Sequence, residues 1–119
     1  MHEMSYVVRL AELALKAAEK EGLASVSAVY ADIGKMTGIV PYYMQKYYKL
    51  AAKGTILENS VLVLTETEVL ARCEGCGSEY TPSAAHDYLC PVCGRGNCRI
   101  IAGRGVTLSR LEGESKDEH

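Results

Sequence analysis

The chain has 119 residues, nearly half of them apolar, and a formal net charge of −2. That length allows one modest core, or a small core plus a metal-stapled lobe, and the apolar content excludes disorder by composition. The slight acidity argues against a nucleic-acid partner, no apolar run reaches the length of a membrane span, and no signal peptide opens the chain.

Leu10, Leu13, Ala14 and Ala17 recur at helical spacing, with Tyr6 and Val7 a turn earlier. Arg9, Glu12, Lys16, Glu19 and Lys20 take the opposite face. The pattern predicts an amphipathic helix that begins near Met4 and is closed by Gly22. Over 25–34, Val26, Ala28, Tyr30 and Asp32 alternate with Ser27, Val29, Ala31 and Ile33, which predicts a strand. Pro41 suits the first position of a second helix, over 42–53, with Met44, Tyr47, Tyr48 and Ala51 facing the core. The cluster of Tyr42, Tyr43, Tyr47 and Tyr48 reads as packing, with hydroxyls reaching the surface. Val61 to Leu70 predicts one long strand leading to Cys73. A returning strand follows over 99–111, bent at Gly103 and Gly105. These two long strands are expected to pair as a stem.

Between them lies Cys73-Glu-Gly-Cys76, thirteen residues, then Cys90-Pro-Val-Cys93. Two Cys-x-x-Cys pairs at this distance have the spacing of a tetrahedral zinc site, and Gly77 and Gly94 follow where a tight knuckle turns. Four thiolates leave no open position, so the zinc is expected to be structural. Two redox-active pairs or two disulfides are the alternatives; a redox role would suit a βαβ setting, which neither pair has. With the cysteines read as ligands, a reducing cytoplasm is the expected location.

The expected architecture is α+β, with two helices packed on a roughly three-stranded sheet. Residues 1–70 plus 101–112 form this domain, 71–100 form an inserted zinc-ribbon lobe, and 113–119 form a charged, frayed tail. Cys98 reads as a free thiol near the lobe and His86 as an exposed loop residue. A zinc ribbon that binds nucleic acid or protein is a rival reading. Its basic residues Arg72, Arg95 and Arg99 are scattered among Glu74, Glu79 and Asp87, which is thin support. A small thiol oxidoreductase is another, which stoichiometric zinc would eliminate. The sequence offers no activated nucleophile and no acid–base pair, so no catalysis is expected.

His2 has two readings. A lone histidine near a terminus is usually a solvent-exposed bystander. Yet the Met1 α-amine, the His2 amide nitrogen and the His2 imidazole can close adjacent chelate rings on one metal. A deprotonated amide nitrogen favours planar Ni(II) or Cu(II) over tetrahedral zinc. Glu3, by main chain or side chain, is a candidate for the remaining position.

Met1-His2-Glu3-Met4-Ser5, then Gly34 and Thr37-Gly38-Ile39-Val40-Pro41, then Ala71-Arg72-Cys73-x-x-Cys76-Gly77 and Cys90-Pro91-x-Cys93-Gly94 resemble the HypA/HybF family of hydrogenase nickel-incorporation proteins. The resemblance covers nearly the whole chain in order. It implies a nickel metallochaperone that delivers Ni(II) to the [NiFe]-hydrogenase large subunit with the GTPase HypB. Carried over residue by residue, it implies nickel at His2 with Met1 and Glu3, and zinc at Cys73, Cys76, Cys90 and Cys93. Lys35 after Gly34, Tyr42 after Pro41 and Gly105 after Gly103-Arg104 depart from the family pattern, away from the metal residues. The expected state is a monomer or a weak or domain-swapped dimer, since a long stem carrying a lobe can exchange.

Overall fold

Eighteen residues, Glu3–Lys20, form the first helix, α1, and Gly22 ends it with φ +69°. The computed structural model describes residues 3–116; Met1 and His2, and the last three residues of the tail, lie outside the described residues. In α1 the buried residues are Val7, Leu10, Ala11, Ala14 and Ala18, while Leu13 is exposed. The buried stripe is therefore rotated from the expected one towards the alanines. Strand β1 (Leu23–Gly34) follows. Its buried residues begin with Val26 and Ala28 but continue with Val29, Ala31 and Ile33, so strict alternation breaks after Ala28.

Helix α2 (Pro41–Ala52) starts on the proline, whose missing N–H costs nothing in a first turn. It buries Met44, Tyr48 and Ala52, one turn apart each. Of the four tyrosines only Tyr48 is core, and its hydroxyl lies 2.6 Å from Ser60 Oγ. Tyr42 and Tyr43 are exposed, with rings meeting edge to face at 5.3 Å. The packing role expected for the whole cluster thus belongs to Tyr48. The remaining strands are β2 (Val61–Thr67), β3 (Leu70–Cys73), β4 (Glu79–Tyr80), β5 (Cys98–Ala102) and β6 (Val106–Ser115).

The chain divides into two compact units. One comprises residues up to Asp32, Gly38–Thr65 and the chain from Val106 on; the other comprises Ile33–Thr37 and Glu66–Gly105. In the first, α1 packs on α2 and β6, and Val7, Leu10, Val29, Met44 and Leu57 are its largest fully buried side chains. Its three-stranded sheet has the order β2-β1-β6. Gln45 Nε2 donates to the Leu62 carbonyl at 2.6 Å, tying α2 to β2.

The second unit holds a sheet of order β4-β3-β5, antiparallel throughout. Ala71 pairs with Tyr80 on one side and Ile100 on the other, and Cys73 pairs with Cys98. Segment Ile33–Thr37 is held by backbone bonds. Gly34 N–H donates to the Gly105 carbonyl at 2.8 Å, and Met36 N–H donates to the Gly103 carbonyl at 3.0 Å. Lys35 pairs with Glu68 in the same unit.

The α+β class, the two helices and the three-stranded sheet are as expected. The stem is not. Each long strand is two strands, broken at Glu68–Val69 and at Gly103–Gly105. Only the second half of one and the first half of the other pair together, as β3 with β5. β2 and β6 each pair with β1 instead. β1 is the strand richest in buried apolar residues, which favours the central position in a sheet covered by helices. The last strand also runs past Leu111 to Ser115, and Lys116 N–H donates to the Gly22 carbonyl at 2.8 Å. No helix among the described residues is long and apolar enough to cross a membrane.

Candidate metal centre

The two knuckles are built alike. Cys73 N–H donates to the Ser78 carbonyl at 2.9 Å, and Gly77 N–H donates back to the Cys73 carbonyl at 2.9 Å. In the second, Cys90 N–H donates to the Arg95 carbonyl at 3.0 Å and Gly94 N–H to the Cys90 carbonyl at 2.8 Å. Gly77 and Gly94 both have positive φ, +79° and +76°, which is why glycine closes each turn. Such turns aim both thiols of a pair to one side. Glu74 N–H donates to the Asn97 carbonyl at 2.8 Å, linking the knuckles through their backbones.

The Sγ atoms of Cys73, Cys76, Cys90 and Cys93 all lie within 4.8 Å of one another. Cys73 Sγ is 3.4 Å from Cys93 Sγ, and Cys76 Sγ is 3.7 Å from Cys90 Sγ. A tetrahedral zinc with Zn–S bonds of about 2.3 Å requires S···S separations of about 3.8 Å. The donor set and its spacing therefore fit a four-thiolate zinc site. The arrangement is also asymmetric: Cys73 and Cys90 are buried, Cys76 and Cys93 exposed, so each knuckle gives one of each.

Hydrogen bonds already favour the thiolate form at part of the cluster. The Cys76 N–H, first, and the Gly75 N–H hold the Cys73 thiol below its ordinary value. The Ser78 hydroxyl and then the Ser78 N–H pull Cys76 down to about 6. At Cys93 the Arg95 N–H also pulls down, but the Cys73 thiol, desolvation and the other two thiols outweigh it and push the group up to about 11.

Tyr80 and Ser78 were not singled out by the sequence. Tyr80, in β4, is 7% exposed and packs in one cluster with Ala71, Cys73 and Cys90, against which Cys98 and Ile100 lie. Its Oη is buried and has no hydrogen-bond partner among the described residues; Cys98 lies against it without reaching hydrogen-bond geometry. The proximity of Cys98, then burial, then the charges of Cys98, Cys90 and Cys73 push the phenol up to about 12. No pattern in the sequence marks a two-residue strand whose hydroxyl ends among sulfurs; only the spacing of Tyr80 four residues past Cys76 was available.

Cys98 is half-buried and outside the group of four. His86 is exposed, in a short turn at Ala84–His86. Arg72 pairs with Glu79 at 2.6 Å, and the Arg95 side chain covers Gly75. Of the candidate nickel residues, only Glu3 lies among the described residues. It opens α1, is partly buried, and its carboxylate accepts a hydrogen bond from the Val40 N–H at 3.2 Å. Val40 is the residue that precedes α2, so this bond fastens the first turn of one helix to the start of the other.

A family model described as "Hydrogenase/urease nickel incorporation, metallochaperone, hypA" matches residues 1–113. The "Hydrogenase maturation factor HypA" of Chloroflexus aggregans is 37% identical over 112 residues, covering 94% of this chain and 98% of the relative. That of Desulfatibacillum aliphaticivorans is 34% identical over 119 residues, covering 99% and 91%. The solution structure of the Ni metallochaperone HypA from Helicobacter pylori is similar in fold, with a TM-score of 0.81 and 22% identity, covering 98% of this chain and all of that one.

Proposed function

Because the chain belongs to the HypA family of hydrogenase/urease nickel-incorporation metallochaperones, we propose that it binds Ni(II) through Met1, His2 and Glu3. It hands the metal to the large subunit of a [NiFe]-hydrogenase during maturation, together with the GTPase HypB. Nickel is cargo here, and a cargo site must be exposed and able to let go. An α-amine, an amide nitrogen and an imidazole make a planar donor set whose deprotonation makes binding depend on pH. The observation that carries this reading is the place of Glu3. The first residue of α1 is anchored to Val40 by its carboxylate.

Zinc at Cys73, Cys76, Cys90 and Cys93 has the other role in this reading. When bound it neutralises four thiolates and cross-links the two knuckles, and with no open position it offers no site for catalysis. The cysteines stay available as ligands in a reducing cytoplasm.

The test is a Ni(II) titration of untagged protein beside His2→Ala and a variant with residues added before Met1, with zinc measured in all three. Wild type is expected to bind about one nickel with a diamagnetic, planar spectrum; both variants lose it and keep zinc. Equal nickel binding by all three would move the cargo site away from the N-terminus.

A further inference from the structure

A buried hydroxyl in a folded protein almost always has a hydrogen-bond partner. Tyr80 Oη has none among the described residues, although the side chain is more than nine-tenths buried. Tyr80 shares a cluster with Ala71, Cys73 and Cys90, against which Cys98 and Ile100 pack, and sulfur is the one side-chain acceptor type in that group. Two of those sulfurs belong to the four-cysteine group, and they are its buried pair.

As thiols these sulfurs are weak acceptors; as thiolates held by a dication they are strong ones. We propose that Tyr80 is a positioning residue of the metal centre: when a metal is bound, its Oη–H turns to donate to one of the buried ligand thiolates, Cys73 or Cys90, and slows release of the metal. This rests on the reading that the four cysteines hold a metal.

Groups inside the knuckles already donate to Cys73, from the Cys76 and Gly75 N–H, to Cys76, from Ser78, and to Cys93, from the Arg95 N–H. Tyr80 reaches the site from a strand, across the Ala71 pairing, so its position depends on the sheet rather than on either knuckle. Groups that hold a ligand from behind tune metal affinity by about 10–100-fold. Cys98 is the competing acceptor, because it lies against the same hydroxyl. A thiol outside the four, with no cation to hold it as thiolate, accepts weakly.

The experiment uses the full chain loaded with Co(II) or Zn(II), as wild type, Tyr80→Phe, Cys98→Ala and the double variant. Phenylalanine keeps the ring and its packing and removes only the donor. Wild type and Tyr80→Phe are expected to hold the same one metal per chain. Tyr80→Phe releases zinc to a chromogenic chelator about 10-fold faster. Its sulfur-to-cobalt charge-transfer band moves to longer wavelength, since a thiolate without its hydrogen bond gives up charge more easily. A purely packing role for Tyr80 would leave that band in place. Cys98→Ala alone is expected to match wild type, and the double variant to match Tyr80→Phe. If Tyr80→Phe matches wild type in both rate and band, the inference is overturned while the metal site stands. If the Tyr80→Phe effect vanishes in the Cys98→Ala background, the hydroxyl serves Cys98 and the inference is overturned too. If wild type shows no cobalt–thiolate band, it is the four-cysteine reading that fails.

Discussion

Cys90→Ala is expected to abolish zinc binding and to unfold the unit that contains β3, β4 and β5. The core of that unit is small: Ala71, Cys73, Tyr80 and Cys90, with Cys98 and Ile100 against it. Two of its four buried members are the thiols themselves. Units of this size rarely stand on apolar burial alone. A structural zinc contributes an apparent ~10–16 kcal/mol of binding free energy at neutral pH, which in such a unit is folding free energy. Removing Cys90 takes away a ligand and a buried side chain together. Cys93→Ala, at an exposed position, removes only the ligand and should leave more residual order. The readout is limited proteolysis within 66–105 alongside zinc content. Helical circular dichroism should persist, because α1 and α2 both belong to the other unit. Full zinc occupancy in Cys90→Ala would contradict the four-thiolate assignment.

The second large effect has nothing to do with metal. A Cβ on Gly34 would lie 2.1 Å from the carbonyl carbon and oxygen of Gly103 and 2.7 Å from the Arg104 nitrogen. All three are backbone atoms, so no side-chain rotation relieves the contact. Gly103 cannot retreat freely, since a Cβ there would meet the Glu68 carbonyl at 2.6 Å and its φ of +85° already suits glycine alone. Gly34→Ala must separate two backbones that are joined by the Met36–Gly103 and Gly34–Gly105 hydrogen bonds. The expected cost is about 3 kcal/mol or more, above the usual range for a surface substitution. In urea this lowers the unfolding midpoint by about 1–2 M. Gly105→Ala is the control, for its added Cβ meets nothing within 4 Å. Equal midpoints for the two variants would mean that the close approach is not maintained in solution.

What could be read from the sequence divides along physical lines. The knuckles were legible because their geometry is local: two cysteines three apart, a glycine after each, and a loop between. Both helices were legible from periodicity, but the buried stripe of α1 was not placed correctly. Leu13 carries the stronger hydrophobic signal, yet Ala11 and Ala18 are buried and Leu13 is exposed. Small side chains let α1 approach α2 and β6 closely, and closeness between elements is not written in one element's pattern. The expected stem pairing held only for β3 with β5 and failed for β2 and β6, for the same reason. Val61–Leu70 and the returning segment look complementary, but β1 competes for both, and a pattern of alternation names a strand without naming its neighbour. Glu3 was marked for its proximity to His2; its bond to Val40, thirty-seven positions away, is a fact of tertiary structure.

The uneven burial of the four cysteines also gives the metal centre a direction. An incoming ligand meets Cys76 and Cys93 first, one from each knuckle, while Cys73 and Cys90 sit behind them. Exchange of a metal held by the four would therefore be expected to begin at the front. Its rate should follow the competitor's size and concentration, and small thiols should outpace bulky chelators of equal affinity. A metal held there would be expected to keep its bonds to Cys73 and Cys90 longest.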